Sequence, residues 1–109
     1  MSTSTTAVDL KFCPLFINGK AVISRGPKDI QYNPATGEPV AEIPRSTPEE
    51  ISDAVQAAQA AFPAWSKTPV IQRCKILFKY RQLLEEHAQE FVDLIIEENG
   101  KTIEEARLV

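Results

Sequence analysis

One four-residue run divides this chain into two halves that cannot fold alike. Thr47-Pro48-Glu49-Glu50 is a capping box: a threonine hydroxyl and a glutamate three places on satisfy free N–H groups at a helix start. Pro48 falls at the first helical position, where the missing N–H would have had no partner anyway. Everything before Thr47 is broken by turn residues into short runs. Everything after it has helical spacing.

In the first half, Leu15-Phe16-Ile17-Asn18-Gly19-Lys20-Ala21-Val22 places two apolar arms around Asn-Gly, the pair that best tolerates the positive φ angles of a type I′ turn. A second turn cluster, Asn33-Pro34-Ala35-Thr36-Gly37, separates Ile30-Gln31-Tyr32 from Val40-Ala41-Glu42-Ile43. The reading is four short antiparallel strands. Because a lone hairpin is marginal in water, these strands need a further sheet or a helix layer over one face.

In the second half, Ile51, Ala54, Val55, Ala58, Ala61 and Phe62 form an apolar stripe, with Glu49, Ser52, Asp53 and Gln56 opposite, and Pro63 is expected to end the helix. The alanines permit close approach of a neighbour, and Phe62 and Trp65 are expected to anchor the helix end in an apolar pocket. Thr68-Pro69 repeats the start signal. Val70, Cys74, Leu77, Phe78 and Leu84 make the next stripe, and Ala88, Phe91, Val92 and Ile95 continue it to Gly100, a natural C-terminal stop. Leu94 and Ile96 widen this stripe, so the segment from Gln89 to Glu98 is expected to pack on two sides.

Charge locates a break within that second stripe. Lys67 to Arg81 holds five basic residues and no acid, whereas Gln82 to Val109 holds eight acids and two bases. Cations suit a helix C-terminus and carboxylates the next N-terminus, which predicts two helices meeting near Glu85–His87. With a net charge of −3 and no accompanying motif, this basic run does not indicate nucleic-acid binding. No apolar stretch approaches the ~20 residues that cross a bilayer. Cys13 and Cys74 stand far apart with no ligand spacing around them, which supports neither a disulfide framework nor a metal site and favours a reducing compartment. Residues 1–11, rich in Ser and Thr and lacking Arg, read as a flexible tail on a cytoplasmic protein, with a mitochondrial signal as the alternative.

A last capping box, Thr102 with Glu105, opens a helix with only Ile103 to Val109 to complete it. An isolated helix shorter than roughly a dozen residues is marginal. The expectation is a chain cut within a larger one. The competing reading is a stand-alone helical interaction module using the apolar face of residues 70–96.

Local chemistry offers no active site. Cys74 falls on an apolar stripe and is expected to be a small buried hydrophobe, and Cys13 has no nearby base. His87 could be oriented by Glu86 or Glu90 but reads as a solvated helix-boundary residue. The pairs Glu49-Glu50, Glu85-Glu86, Glu97-Glu98 and Glu104-Glu105 read as helix starts or solvated faces. Glycines at 19, 26, 37 and 100 fit neither dinucleotide nor P-loop spacing.

The order of signals nevertheless resembles a family. Phe16-Ile17-Asn18-Gly19-Lys20, then Asn33-Pro34-Ala35-Thr36-Gly37-Glu38, then Ala61-Phe62-Pro63-Ala64-Trp65, and finally Glu98-Asn99-Gly100-Lys101-Thr102 with Glu105-Ala106 closely resemble the N-terminal region of the aldehyde dehydrogenases. Phe62-Pro63-Ala64-Trp65, Gln72-Arg73, Tyr80-Arg81-Gln82-Leu83 and Gly100-Lys101-Thr102 are most similar to the methylmalonate-semialdehyde, CoA-acylating branch. The resemblance implies an α/β fold, in which residues 12–109 are the truncated N-terminal part of the cofactor-binding domain and supply short antiparallel hairpins and three to four helices on its outside. It also implies NAD(P)-dependent aldehyde oxidation through a cysteine thiohemiacetal, with CoA or water as acyl acceptor, in a homo-oligomer acting on a small aldehyde. The family's nucleophile, glutamate base, asparagine oxyanion donor and cofactor cradle lie downstream of this stretch. No catalytic, cofactor-binding or metal residue is assigned to this chain on that basis, and the chain alone is expected to be inactive.

Overall fold

The structure, a computed structural model, describes residues 9–109. Five strands precede four helices: β1 Lys11–Phe12, β2 Leu15–Ile17, β3 Lys20–Val22, β4 Lys28–Tyr32, β5 Pro39–Pro44, α1 Pro48–Lys67, α2 Val70–Glu86, α3 Ala88–Asn99 and α4 Ile103–Arg107. The chain is an α/β unit with its strands and helices segregated along the sequence.

β2 and β3 pair antiparallel in the register Leu15↔Val22, Phe16↔Ala21, Ile17↔Lys20. Asn18 and Gly19 turn between them at φ 53° and 72°, the two positive angles that a type I′ turn requires. β4 and β5 form the second hairpin, with an irregularity at Gln31/Tyr32. The expected set of four antiparallel strands is incomplete in one respect: β1 adds a fifth strand, parallel to β5 through Lys11↔Ala41 and Phe12↔Glu42. Lys11 therefore belongs to the sheet rather than to the tail expected over residues 1–11, of which residues 1–8 lie outside the described residues. A two-residue strand pairing across some thirty positions leaves no turn signature that local patterning could register.

α1 opens as its capping box requires: Thr47 Oγ1 accepts from Glu50 N at 3.2 Å. It does not stop at Pro63, as expected, but runs four residues further. Residues 58–66 are all exposed, so the backbone group left unpaired by the proline is within reach of water, and the end is closed by side chains. Ser66 Oγ donates to Pro63 O at 3.0 Å, and Thr68 Oγ1 donates to Ala64 O at 2.9 Å. That second bond takes Thr68 out of the capping role expected for it. α2 starts from Pro69 without a side-chain cap.

The break expected near Glu85–His87 falls at His87, between α2 and α3. Gly100 closes α3 in the left-handed region, at φ 72°, with its N–H donating to Ile96 O at 2.9 Å. Thr102 and Glu105 then form the reciprocal box that opens α4.

Little apolar surface is enclosed. Among the described residues the buried hydrophobic side chains are Ala41 on β5, Val92 on α3 and Ala106 on α4. The Cα radius of gyration is 18.6 Å, against about 13 Å for a compact chain of this length. The molecule is a slab 66 × 38 × 18 Å. Phe62 and Trp65, expected to anchor the end of α1, are 66% and 41% exposed, since no other described element reaches them closely enough to enclose them.

Candidate functional site

The most enclosed polar group is Glu50, 4% exposed at the start of α1. The capping box fixes its backbone, which turns the carboxylate back toward the loop after β3. There Glu50 Oε2 accepts from Ser24 Oγ at 2.7 Å and from Thr47 N at 3.0 Å, while Oε1 accepts from Arg25 N at 2.8 Å. Ser24, itself 5% exposed, accepts in turn from Gly26 N at 3.1 Å. One carboxylate thus ties the β3–β4 loop to the helix start.

Gly26 makes the loop possible. A Cβ built there would collide with the backbone carbonyl of Arg45, so only glycine fits.

The hydrogen bond from Arg25 N, followed by those from Thr47 N and Ser24 Oγ, holds the Glu50 carboxyl below the ordinary carboxylate value. A carboxylate whose lone pairs are engaged by three donors is a clasp, unsuited to taking a proton from a substrate. Glu105 is lowered for the same reason, by its bonds from Thr102 N and Thr102 Oγ1.

The other candidates are dispersed. Cys13 and Cys74 are both exposed, which corrects the expectation that Cys74 is buried on its stripe: no described element covers that side of α2. His87 Nδ1 lies 3.1 Å from Glu90 Oε1 at the exposed α2–α3 junction, with no nucleophile in that contact. Of the neighbouring acids, Glu85 pairs with Arg81 at 2.9 Å, Glu86 accepts from Gln82 at 2.8 Å, and Glu97 pairs with Lys11. Among the described residues no group of three His, Cys, Asp or Glu could hold a metal ion. None of their helices is long and apolar enough to cross a membrane.

The space a Cβ would take at Gly26 is filled by Arg45 and that at Gly100 by Pro34, so neither leaves room for a phosphate. An apolar groove does exist between the end of α2, α3 and α4, floored by Leu84, Phe91, Val92, Ile95 and Ala106 and edged by Arg81 and Arg107. Sequence reasoning missed both this groove and the Glu50 clasp. Ser24 and Glu50 are 26 residues apart, and only the capping box hinted that Glu50 has a fixed orientation.

An α/β layout of two hairpins leading into a run of helices is the architecture of one part of a larger enzyme fold. The chain belongs to the aldehyde dehydrogenase family, whose model matches residues 24–108. It is 48% identical over 103 residues to the malonate-semialdehyde dehydrogenase of Lacticaseibacillus casei and 46% identical over 103 residues to that of Bacillus pumilus. Each match takes in 94% of this chain and 21% of the relative, so the chain spans about a fifth of the length of these relatives.

Among solved structures, lactaldehyde dehydrogenase from Escherichia coli superposes with a TM-score of 0.87 at 34% identity, over 91% of this chain and 21% of the other. A protein from Sinorhizobium meliloti 1021 assigned as a methylmalonate-semialdehyde dehydrogenase, complexed with NAD, does so with 0.85 at 32% identity, over 90% and 20%. The fold and family expected from the motifs are thereby established.

Proposed function

We propose that this chain is the N-terminal portion of an aldehyde dehydrogenase acting on malonate semialdehyde or its methyl-substituted relative. Its own residues carry structure rather than chemistry. The observation that carries the reading is the 48% identity to a malonate-semialdehyde dehydrogenase over 94% of the chain, alongside a buried carboxylate held by three internal donors.

On this reading the nicotinamide cofactor, the nucleophile that attacks the aldehyde, and any CoA used as acyl acceptor are all held by residues beyond those of this chain. Residues 12–109 then form the opening part of the cofactor-binding domain. The whole protein is a homo-oligomeric cytoplasmic enzyme, with a mitochondrial location as the alternative. The exposed faces of α2 also suit the second reading, a helical interaction module without catalysis.

The test compares the isolated chain with a chimera in which this chain replaces the matching 103-residue stretch of the Lacticaseibacillus casei relative. Each is assayed for NADH formation from malonate semialdehyde. The isolated chain is expected to form none and the chimera to turn over. Aldehyde-dependent NADH formation by the isolated chain would overturn the assignment of a structural role, and a folded but inactive chimera would favour the interaction module.

A further inference from the structure

Two stretches of this chain carry the same dipeptide in the same downstream setting, Ile17-Asn18-Gly19-Lys20 and Glu98-Asn99-Gly100-Lys101. Asparagine before glycine is open to attack by the following backbone nitrogen on its side-chain amide, because glycine has no side chain to hinder the approach. The third asparagine, Asn33, is followed by Pro34, whose nitrogen carries no hydrogen to give up. Local sequence therefore ranks Asn18 and Asn99 alike, and the fold separates them.

Asn99 is the last residue of α3, and the N–H of Gly100 donates to Ile96 O at 2.9 Å. Pro34 stands over Gly100, its Cγ 3.0 Å from where a Cβ would lie. The nitrogen that would attack is thus held in a helix cap and must first be released. At the other site Asn18 and Gly19 are both exposed. Among the described residues the Gly19 N–H donates to no backbone acceptor, and nothing lies within 4 Å of the Gly19 Cβ position. β2 and β3 make a two-stranded sheet of three residues a side. A hairpin of that kind is marginal, so its turn opens readily enough for the Gly19 nitrogen to reach Asn18 Cγ.

We propose that Asn18 is a site of spontaneous backbone modification, and that Asn99, with the same two residues after it, is spared by the α3 cap. The Gly19 nitrogen bonds to Asn18 Cγ, the C–N bond of the side-chain amide breaks, and ammonia leaves with the proton from Gly19. Water then opens the cyclic imide at either carbonyl, giving aspartate or isoaspartate. Isoaspartate carries the chain through Cβ and so adds one backbone atom to the turn. That turn closes because two residues, at φ 53° and 72°, fit between the paired Ile17 and Lys20. The extra atom breaks this fit and loosens the hairpin where Asn18 and Gly19 border Ala54, Ala58 and Ala61 of α1.

The test holds the chain for weeks in mildly alkaline buffer, either folded or in urea. After digestion, each asparagine is followed by the mass gain of amide-to-acid conversion and by the separate elution of isoaspartyl peptides. In the folded chain Asn18 is expected to convert about tenfold faster than Asn99, since local opening must free the Gly100 N–H before attack there. In urea the two rates should converge. Equal rates in the folded chain, or faster conversion at Asn99, overturn the proposal. So does a difference that persists unchanged in urea, which would assign it to the preceding residue, Ile17 or Glu98, rather than to the fold.

The isoaspartyl fraction, separated by ion exchange, should show faster hydrogen exchange across β2 and β3 with α3 unchanged. Protection equal to that of the parent refutes the loosening. Asn18→Asp, which adds the charge without the extra atom, should keep the hairpin's protection, and equal loss in both would refute the backbone cause.

Discussion

Replacing Gly26 by alanine tests whether the β3–β4 loop is held as tightly as its geometry requires. The added Cβ would fall well under 3.0 Å from the backbone carbonyl of Arg45, a separation real Cβ atoms do not adopt, and backbone cannot move aside as a flexible side chain can. Relief requires the Arg45 strand end and the loop to part by about 1 Å, a shift comparable to overpacking a core, which costs about 1–3 kcal/mol. The same movement breaks the bond from Arg45 N to Pro27 O, now 2.7 Å, for about 1 kcal/mol more. The total, about 2–4 kcal/mol, corresponds to roughly 10–25 °C of melting temperature for a domain of this size. Urea titration followed by circular dichroism measures the total, and hydrogen exchange at the Arg45 amide locates it. Gly19→Ala is the control: nothing stands near its Cβ, so its cost is only about 1–2 kcal/mol of left-handed backbone strain, and Arg45 stays protected. A Gly26→Ala chain within about 0.5 kcal/mol of the parent, as for an ordinary surface change, would refute the reasoning.

Two further perturbations separate local from tertiary effects. Glu50 has a folded-state pKa below its ordinary value, so the stability it contributes is complete above that ordinary value and is lost as pH falls through the lowered one. Acid titration of the parent should show this loss, and Glu50→Gln, which cannot ionise, should be less stable at neutral pH and lack that part of the acid slope; equal slopes would rule the clasp out. Pro63→Ala should stabilise α1, restoring an intrahelical donor that proline lacks. Relief of the ~3 kcal/mol helix penalty, less about 1 kcal/mol for a looser unfolded chain, leaves a gain of about 2 kcal/mol in urea titration, and no gain would mean that α1 ends at Pro63 in solution.

What could be read directly was whatever a few neighbouring residues settle among themselves. Asn18-Gly19 prescribes its turn because both residues accept positive φ, and Thr47/Glu50 and Thr102/Glu105 set helix starts because each box closes within four residues. Gly100 ends α3 for an equally local reason. The ordered succession of such signals also carried the family, which no single motif could do.

The readings that failed each depended on something distant. Cys74 is exposed although it lies on a stripe, because a stripe states only that a face is apolar and not that anything covers it. A proline ring disfavours the preceding turn, yet exposure around Pro63 and the side-chain bonds of Ser66 and Thr68 let the helix run on. The candidate site divides along the same line. That Glu50 opens a helix was legible from Thr47 three residues away, whereas its capture of Ser24 and Arg25, 26 and 25 positions back, required the β3–β4 loop to be folded against the helix first. The parallel pairing of β1 with β5 and the tie from Lys11 to Glu97 are likewise joined across 30 and 86 positions. The sequence by itself determined where the two hairpins turn, where α1 and α4 begin, where α3 ends, and which faces are apolar, because those are contests within one or two turns of backbone. Only the tertiary structure decided which distant groups meet and which apolar faces stay uncovered, because those outcomes depend on how separate elements come together.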